Sequence, residues 1–213
     1  MEASHIRFAL DLKDVLQVSD ENAFVSGSIY PDSRYVTGID RLATHPKDYR
    51  DDPMFKSGDF KKGWFAHLFA DDIQGRLMRE MLPETSTGDG TESWIKRTAI
   101  KVLQDTDDVQ KFDIARYLPC FEHVENPNGE DVEILRKYNR IFPVMYARPE
   151  SVGIEEECEI WRQFGIGDEL VMKIQRQAEE YGTDVTMMKT IKRLYDAMLD
   201  EADKQLNASK TTI

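Results

Sequence analysis

An all-α chain is what the sequence predicts, and three observations carry that expectation. Apolar residues recur at three- and four-residue steps along most of the chain, the spacing that gathers them on one helical face. No stretch sustains the alternation of a half-buried strand. Prolines or glycines punctuate most joins between the periodic segments. At 213 residues the chain can bury a substantial core and suits one domain better than two, so the expected architecture is a single-domain helical bundle spanning residues 1–213.

The elements follow in order. Residues 4–16 read as a helix with Ile6, Ala9, Leu10 and Leu16 on one face and Phe8, Leu12 and Val15 widening it. Ser4 is the expected cap, leaving His5 in the first turn near the helix end. Residues 21–30 read as a short mixed segment that stops at Pro31, whose ring moves Tyr30 away from the helical region. Residues 45–58, HPKDYRDDPMFKSG, read as a surface loop. Asp59 is then the expected cap of a helix running to about Leu82 and stopped by Pro83. Along it Phe60, Trp64, His67, Asp71, Gln74 and Met78 follow helical steps. After a loop at 84–90 the remainder reads as helices over 91–104, 108–117, 130–142, 155–164, 168–181 and 183–206. The last is amphipathic, with Val185, Met188, Ile191, Leu194, Tyr195, Met198 and Leu199 on one side.

Composition narrows the function classes. The net charge is −12, with acids spread along the chain, which disfavours a nucleic-acid partner because neutralising phosphates needs a basic footprint. The only cysteines, Cys120 and Cys158, lack a CxxC spacing and point to a reduced, cytoplasmic protein. The N-terminus has no basic start followed by an unbroken apolar run, so no signal peptide is expected. No apolar run approaches the roughly 20 residues that span a bilayer. GxxxxGK[ST], GxGxxG and GxSxG are all absent, which removes the starting residues for nucleotide-loop and serine-hydrolase readings.

The chemistry-bearing residues concentrate near the N-terminus. His67 and Asp71 stand four apart in the apolar run WFAHLFADD, so on a helix both project from one face. Asp32 follows a proline and His45 follows a threonine in turn-prone sequence, and His5 lies in the first helix. Mixed imidazole and carboxylate donors suit zinc, iron or manganese. A buried His–Asp hydrogen bond is the competing account of His67 and Asp71, and a surface ion pair with Arg34 or Arg41 that of Asp32. His123, in CFEHVENPNG, reads as structural or exposed. The metal site is therefore expected between the N-terminal helices, with residues 1–82 bearing ligands and 91–206 serving as scaffold.

Ser4-His5, GSIYPD over 27–32, Thr44-His45 and HLFAD over 67–71 together resemble the zinc-dependent phospholipase C family and, more loosely, the HD superfamily of helical metal-dependent phosphohydrolases. The resemblance covers the first third of the chain. It implies that Asp32, His45, His67 and Asp71 surround one ion and that His5 helps hold a neighbouring one. Only His123 follows the HxxxD helix among histidines, so one or two divalent ions are expected, with zinc favoured. Five ligands exceed one tetrahedral site: either Asp71 bridges two ions, or one ion takes higher coordination, as iron or manganese would. The expected activity is hydrolysis of a phosphorylated small molecule by metal-bound water, with Arg34 as the phosphate contact. The alternative is a binding protein in which the same residues enclose a structural ion or form a hydrogen-bond network.

Overall fold

The computed structural model describes residues 2–210, and among them the regular elements are ten α-helices and several 3-10 turns, with no strand. The helices are α1 (Glu2–Leu12), α2 (Glu21–Ile29), α3 (Arg34–Thr37), α4 (Arg41–Thr44), α5 (Asp59–Met81), α6 (Gly90–Asp108), α7 (Val132–Met145), α8 (Ile154–Gln163), α9 (Asp168–Thr183) and α10 (Val185–Lys210). Aspartates start several of them in the expected chemical way. The side chains of Asp20, Asp89, Asp131 and Asp184 each accept hydrogen bonds from backbone N–H groups at the start of α2, α6, α7 and α10, satisfying donors that a helix leaves open.

Helix α5 is the central element, packed against α1, α2 and α10. Its buried residues include Phe60, Trp64, His67, Leu68, Ile73 and Met78, so the steps read from the sequence do mark an inward face. Most of the core is one large cluster that reaches from Ala3 in α1 to Ala202 in α10, with a small second cluster of Ala9, Phe24 and Ala66. Cys120 and Cys158 are buried free thiols within it. No helix among the described residues is long and apolar enough to cross a membrane.

Four departures from the sequence reading have local causes. Ser4 is not a cap: α1 begins at Glu2, and the Ser4 backbone N–H and hydroxyl both donate to Asp105 of α6. Asp59 does not cap its own helix. One of its oxygens instead accepts from Ser19 and from the Asp20 backbone, while the other takes Lys62, tying the start of α5 to the start of α2. Residues 21–30 hold a true helix whose periodicity is hidden, because every residue of 23–29 is buried. Tyr30 keeps helical angles, since Pro31 stands in the first turn of a 3-10 segment, where its missing N–H is tolerated. The expected helix over 108–117 is absent. There α6 continues to Asp108, held by Arg7, and a 3-10 segment over Ile114–Glu122, carrying Pro119, places Ile114, Cys120 and Phe121 inside.

Behind the N-terminal half of α1 lies a buried polar layer. The Tyr138 hydroxyl is within hydrogen-bond distance of both Glu2 and the Ile29 carbonyl, and Tyr146 donates to Glu157. Burial, with Asp105 nearby, pushes the Glu157 carboxyl up to about 8 from its ordinary 4.5. The folded chain therefore keeps a proton at this position that the unfolded chain loses above about pH 4.5. Stability from this group is present below pH 4.5, declines as pH rises toward 8, and then levels off. Glu157→Gln should flatten that decline. Urea unfolding at pH 5, 7 and 9 checks it, and parallel pH profiles for wild type and variant would exclude this role for Glu157.

Candidate metal centre

The chain brings all five proposed ligands together. His5 comes from the first turns of α1, Asp32 from the 3-10 turn Tyr30–Ser33 that continues α2, His45 from the residue after α4, and His67 and Asp71 from one face of α5. His67 is 0% exposed, His5 2%, Asp32 3% and His45 8%. His45 Nε2 lies 3.8 Å from Asp32 Oδ1 and 3.6 Å from Asp71 Oδ2, and His67 Nε2 lies 3.9 Å from Asp71 Oδ2. The rings of His5 and His67 stack at 4.0 Å, tilted by 11°. Asp32, His45 and His67 each offer a ligand atom within 4.8 Å of the others, and so do Glu2, His5 and His67.

Second-layer contacts aim these donors. His67 Nδ1 lies 2.8 Å from the Ser28 carbonyl, which fixes Nδ1 as the N–H donor and leaves Nε2 as the bare nitrogen. His45 Nδ1 is 2.9 Å from the Thr44 hydroxyl, leaving its Nε2 toward the two aspartates. Burial first, and His5 second, lower the His67 imidazole to about 3, so the ring is neutral at pH 7. Asp71 is held well below the usual carboxylate range: burial opposes its charge, and Lys101 followed by His45 and His5 outweigh that.

Two buried atoms test whether a metal fits. Neither His67 Nε2 nor Asp32 Oδ2 has a hydrogen-bond partner among the described residues. A bare imidazole nitrogen and a carboxylate oxygen left buried without partners cost stability, commonly about 1–3 kcal/mol each and more for a charge. A divalent cation satisfies both, and the donors are of the types zinc, iron and manganese accept. The surface ion pair considered for Asp32 is not found among the described residues; Asp32 Oδ1 instead faces His45 Nε2.

One side of the cluster opens on a cleft of about 680 Å³. Asp32, His45 and Asp71 line it, together with the cations Arg34, Arg41, Lys47, Arg79, Arg97 and Lys101 and the aromatic side chains of Tyr35, Tyr49, Trp94 and Trp161. Six cations face three carboxylates there, Asp32, Asp71 and Asp72, in a chain of net charge −12. The guanidinium of Arg34 stacks on Tyr35 at 3.9 Å, and its buried Nε has no hydrogen-bond partner among the described residues.

Sequence reasoning missed Lys101. Its Nζ lies 2.8 Å from Asp71 Oδ1. Burial disfavours its charge, but Asp71 more than offsets this and raises the ammonium above its ordinary value. The available signal was a polar stripe on α6, where Thr98, Lys101, Asp105 and Asp108 follow three- and four-residue steps and three of them are buried. His123 stands apart, on a half-buried turn where Nε2 meets Glu125 at 3.2 Å. Comparison with protein families, with curated proteins and with solved structures finds no match to this chain.

Proposed function

We propose that the chain is a metal-dependent hydrolase of phosphoesters, of the kind its resemblance to the zinc-dependent phospholipase C family and the HD superfamily implies. The observation that carries this reading is the pair of buried donors without hydrogen-bond partners among the described residues, His67 Nε2 and Asp32 Oδ2, beside a cation-lined cleft that Asp32 lines. Asp32, His45, His67 and Asp71 would hold the ion, zinc being favoured. When bound, such an ion acidifies a water and stabilises charge developing on a phosphoryl oxygen.

The chain's own residues supply the rest. Ser28 and Thr44 orient the two imidazoles. Guanidinium groups match phosphate oxygens with paired N–H donors, and Arg34, whose buried Nε has no hydrogen-bond partner among the described residues, is the first candidate for that contact. Arg41, Arg79 and Arg97 surround the same space. The cleft also favours a hydrolase over an enclosed structural ion, because it reaches Asp32, His45 and Asp71 from solvent.

Zinc-loaded protein is expected to hydrolyse at least one member of a panel of phosphomonoesters and phosphodiesters, and chelator-treated protein none. Arg34→Gln should raise KM about tenfold, the equivalent of roughly 1.4 kcal/mol of lost binding, with a smaller effect on kcat. Zinc-loaded protein that neither turns over any member nor binds inorganic phosphate in a calorimetric titration would overturn the reading.

A further inference from the structure

We propose that Lys101 occupies the place of a second cation, so that the centre holds one metal ion per chain. This rests on reading Asp32, His45, His67 and Asp71 as the metal site, and it concerns how many ions that site takes.

The two oxygens of Asp71 face different groups. Oδ2 lies 3.6 Å from His45 Nε2 and 3.9 Å from His67 Nε2, toward the proposed ion. Oδ1 lies 2.8 Å from Lys101 Nζ and 3.4 Å from His5 Nε2. A carboxylate that bridges two metals needs a cation at each oxygen. Here the cation at Oδ1 is an ammonium built into α6, and its side chain is only 17% exposed. A second divalent ion at Oδ1 would sit against that ammonium, where like charges repel strongly in a buried setting.

Ligand supply points the same way. The two candidate triads, Asp32–His45–His67 and Glu2–His5–His67, share His67. Its Nδ1 is committed to the Ser28 carbonyl, so one nitrogen remains and serves one ion. Glu2 Oε2 and Asp32 Oδ2 both lack a hydrogen-bond partner among the described residues, but Asp32 and His45 line the cleft, and neither Glu2 nor His5 is among its lining residues. The triad with Asp32 therefore takes the ion. His5 stacks on His67 and faces Asp71 Oδ1 beside Lys101, which makes it a positioning residue in this chain.

Calorimetric titration of chelator-stripped protein with zinc counts the sites. We expect one equivalent for wild type, one for Lys101→Arg, and two for Lys101→Ala, where Asp71 Oδ1 and His5 are released to a second ion. Two equivalents in wild type would overturn the assignment of Lys101 and leave the metal site standing. None in wild type would overturn both. A single equivalent in Lys101→Ala would show that Lys101 excludes nothing. Should Lys101→Ala not fold, Lys101→Gln replaces it with the same expectation of two.

Discussion

His67→Ala is expected to abolish zinc binding at the concentrations that saturate wild type, with an affinity loss above the 10- to 100-fold typical of outer-layer partners. His67 is the residue shared by both ligand triads, and its Nε2 is the bare donor on the α5 side. The apo protein should lose little stability, because two effects oppose each other. Deleting the ring opens a cavity and loses the bond to the Ser28 carbonyl, but it also removes a buried nitrogen that has no hydrogen-bond partner among the described residues. The measurement that isolates the metal is therefore the zinc-induced shift in Tm. At a free zinc concentration 100 times Kd, binding only to the folded chain adds about 2.7 kcal/mol, or roughly 5–10 °C for a domain of this size. Wild type and His123→Ala should show that shift in full, and His67→Ala none. Equal shifts in all three proteins would remove His67 from the site. Asp71→Asn should likewise cost activity far more than folding, since it retains shape and loses the charge that faces both His45 and Lys101.

The helical class was legible because most helices here have one wet and one dry face, and such helices declare themselves in the pattern of apolar residues. Helix α5 and the helices from α7 onward fall close to their expected bounds for that reason. Helix α2 did not declare itself. Its residues 23–29 are buried on all sides, and a helix buried all round has no periodic contrast to read. The segment after α6 failed for the opposite reason. Its apolar residues stand three apart, Val109 with Phe112 and Ile114 with Tyr117, which imitates part of an amphipathic helix, whereas the 3-10 turns bury Ile114, Cys120 and Phe121.

At the site, the sequence exposed the residues whose chemistry is unusual for their surroundings. A histidine and an aspartate one turn apart in WFAHLFADD are costly to bury without a shared purpose; His67 is indeed on the buried face of α5, and Asp71 beside it lines the cleft. What remained hidden are contacts across long sequence separations. Lys101 meets Asp71 across 30 residues, and Ser4 meets Asp105 across 101. A lysine on an amphipathic helix is ordinary in sequence, and only its burial beside a carboxylate marks it. The cationic cleft was hidden likewise, because Arg34, Arg41, Arg79 and Arg97 are scattered among 40 acidic residues and converge only when α3, α4, α5 and α6 pack.

Gly63→Ala is expected to destabilise the protein by at least about 3 kcal/mol, near the upper end of what overpacking costs. Helices α2 and α5 cross through a pair of glycines. A Cβ on Gly63 would lie 1.9 Å from the Phe24 carbonyl oxygen and 2.9 Å from the Ser28 nitrogen, and one on Gly27 would lie 1.9 Å from the Phe60 carbonyl oxygen. These are backbone atoms, so no side chain can rotate away and one helix must move. The site depends on that approach: Ser28 of α2 holds His67 Nδ1, and Asp32 follows directly on the same helix. Zinc binding should therefore weaken along with stability, although neither glycine is a ligand. Gly75, also in α5, provides the contrast, because its added Cβ meets only the Arg79 guanidinium at 3.8 Å. Gly75→Ala should leave stability unchanged or raise it by up to about 1 kcal/mol through helix propensity. Urea unfolding of the three proteins decides the matter. If Gly63→Ala unfolds at the wild-type midpoint, α2 and α5 do not cross as closely as this packing requires, and the placement of Ser28 against His67 falls with it.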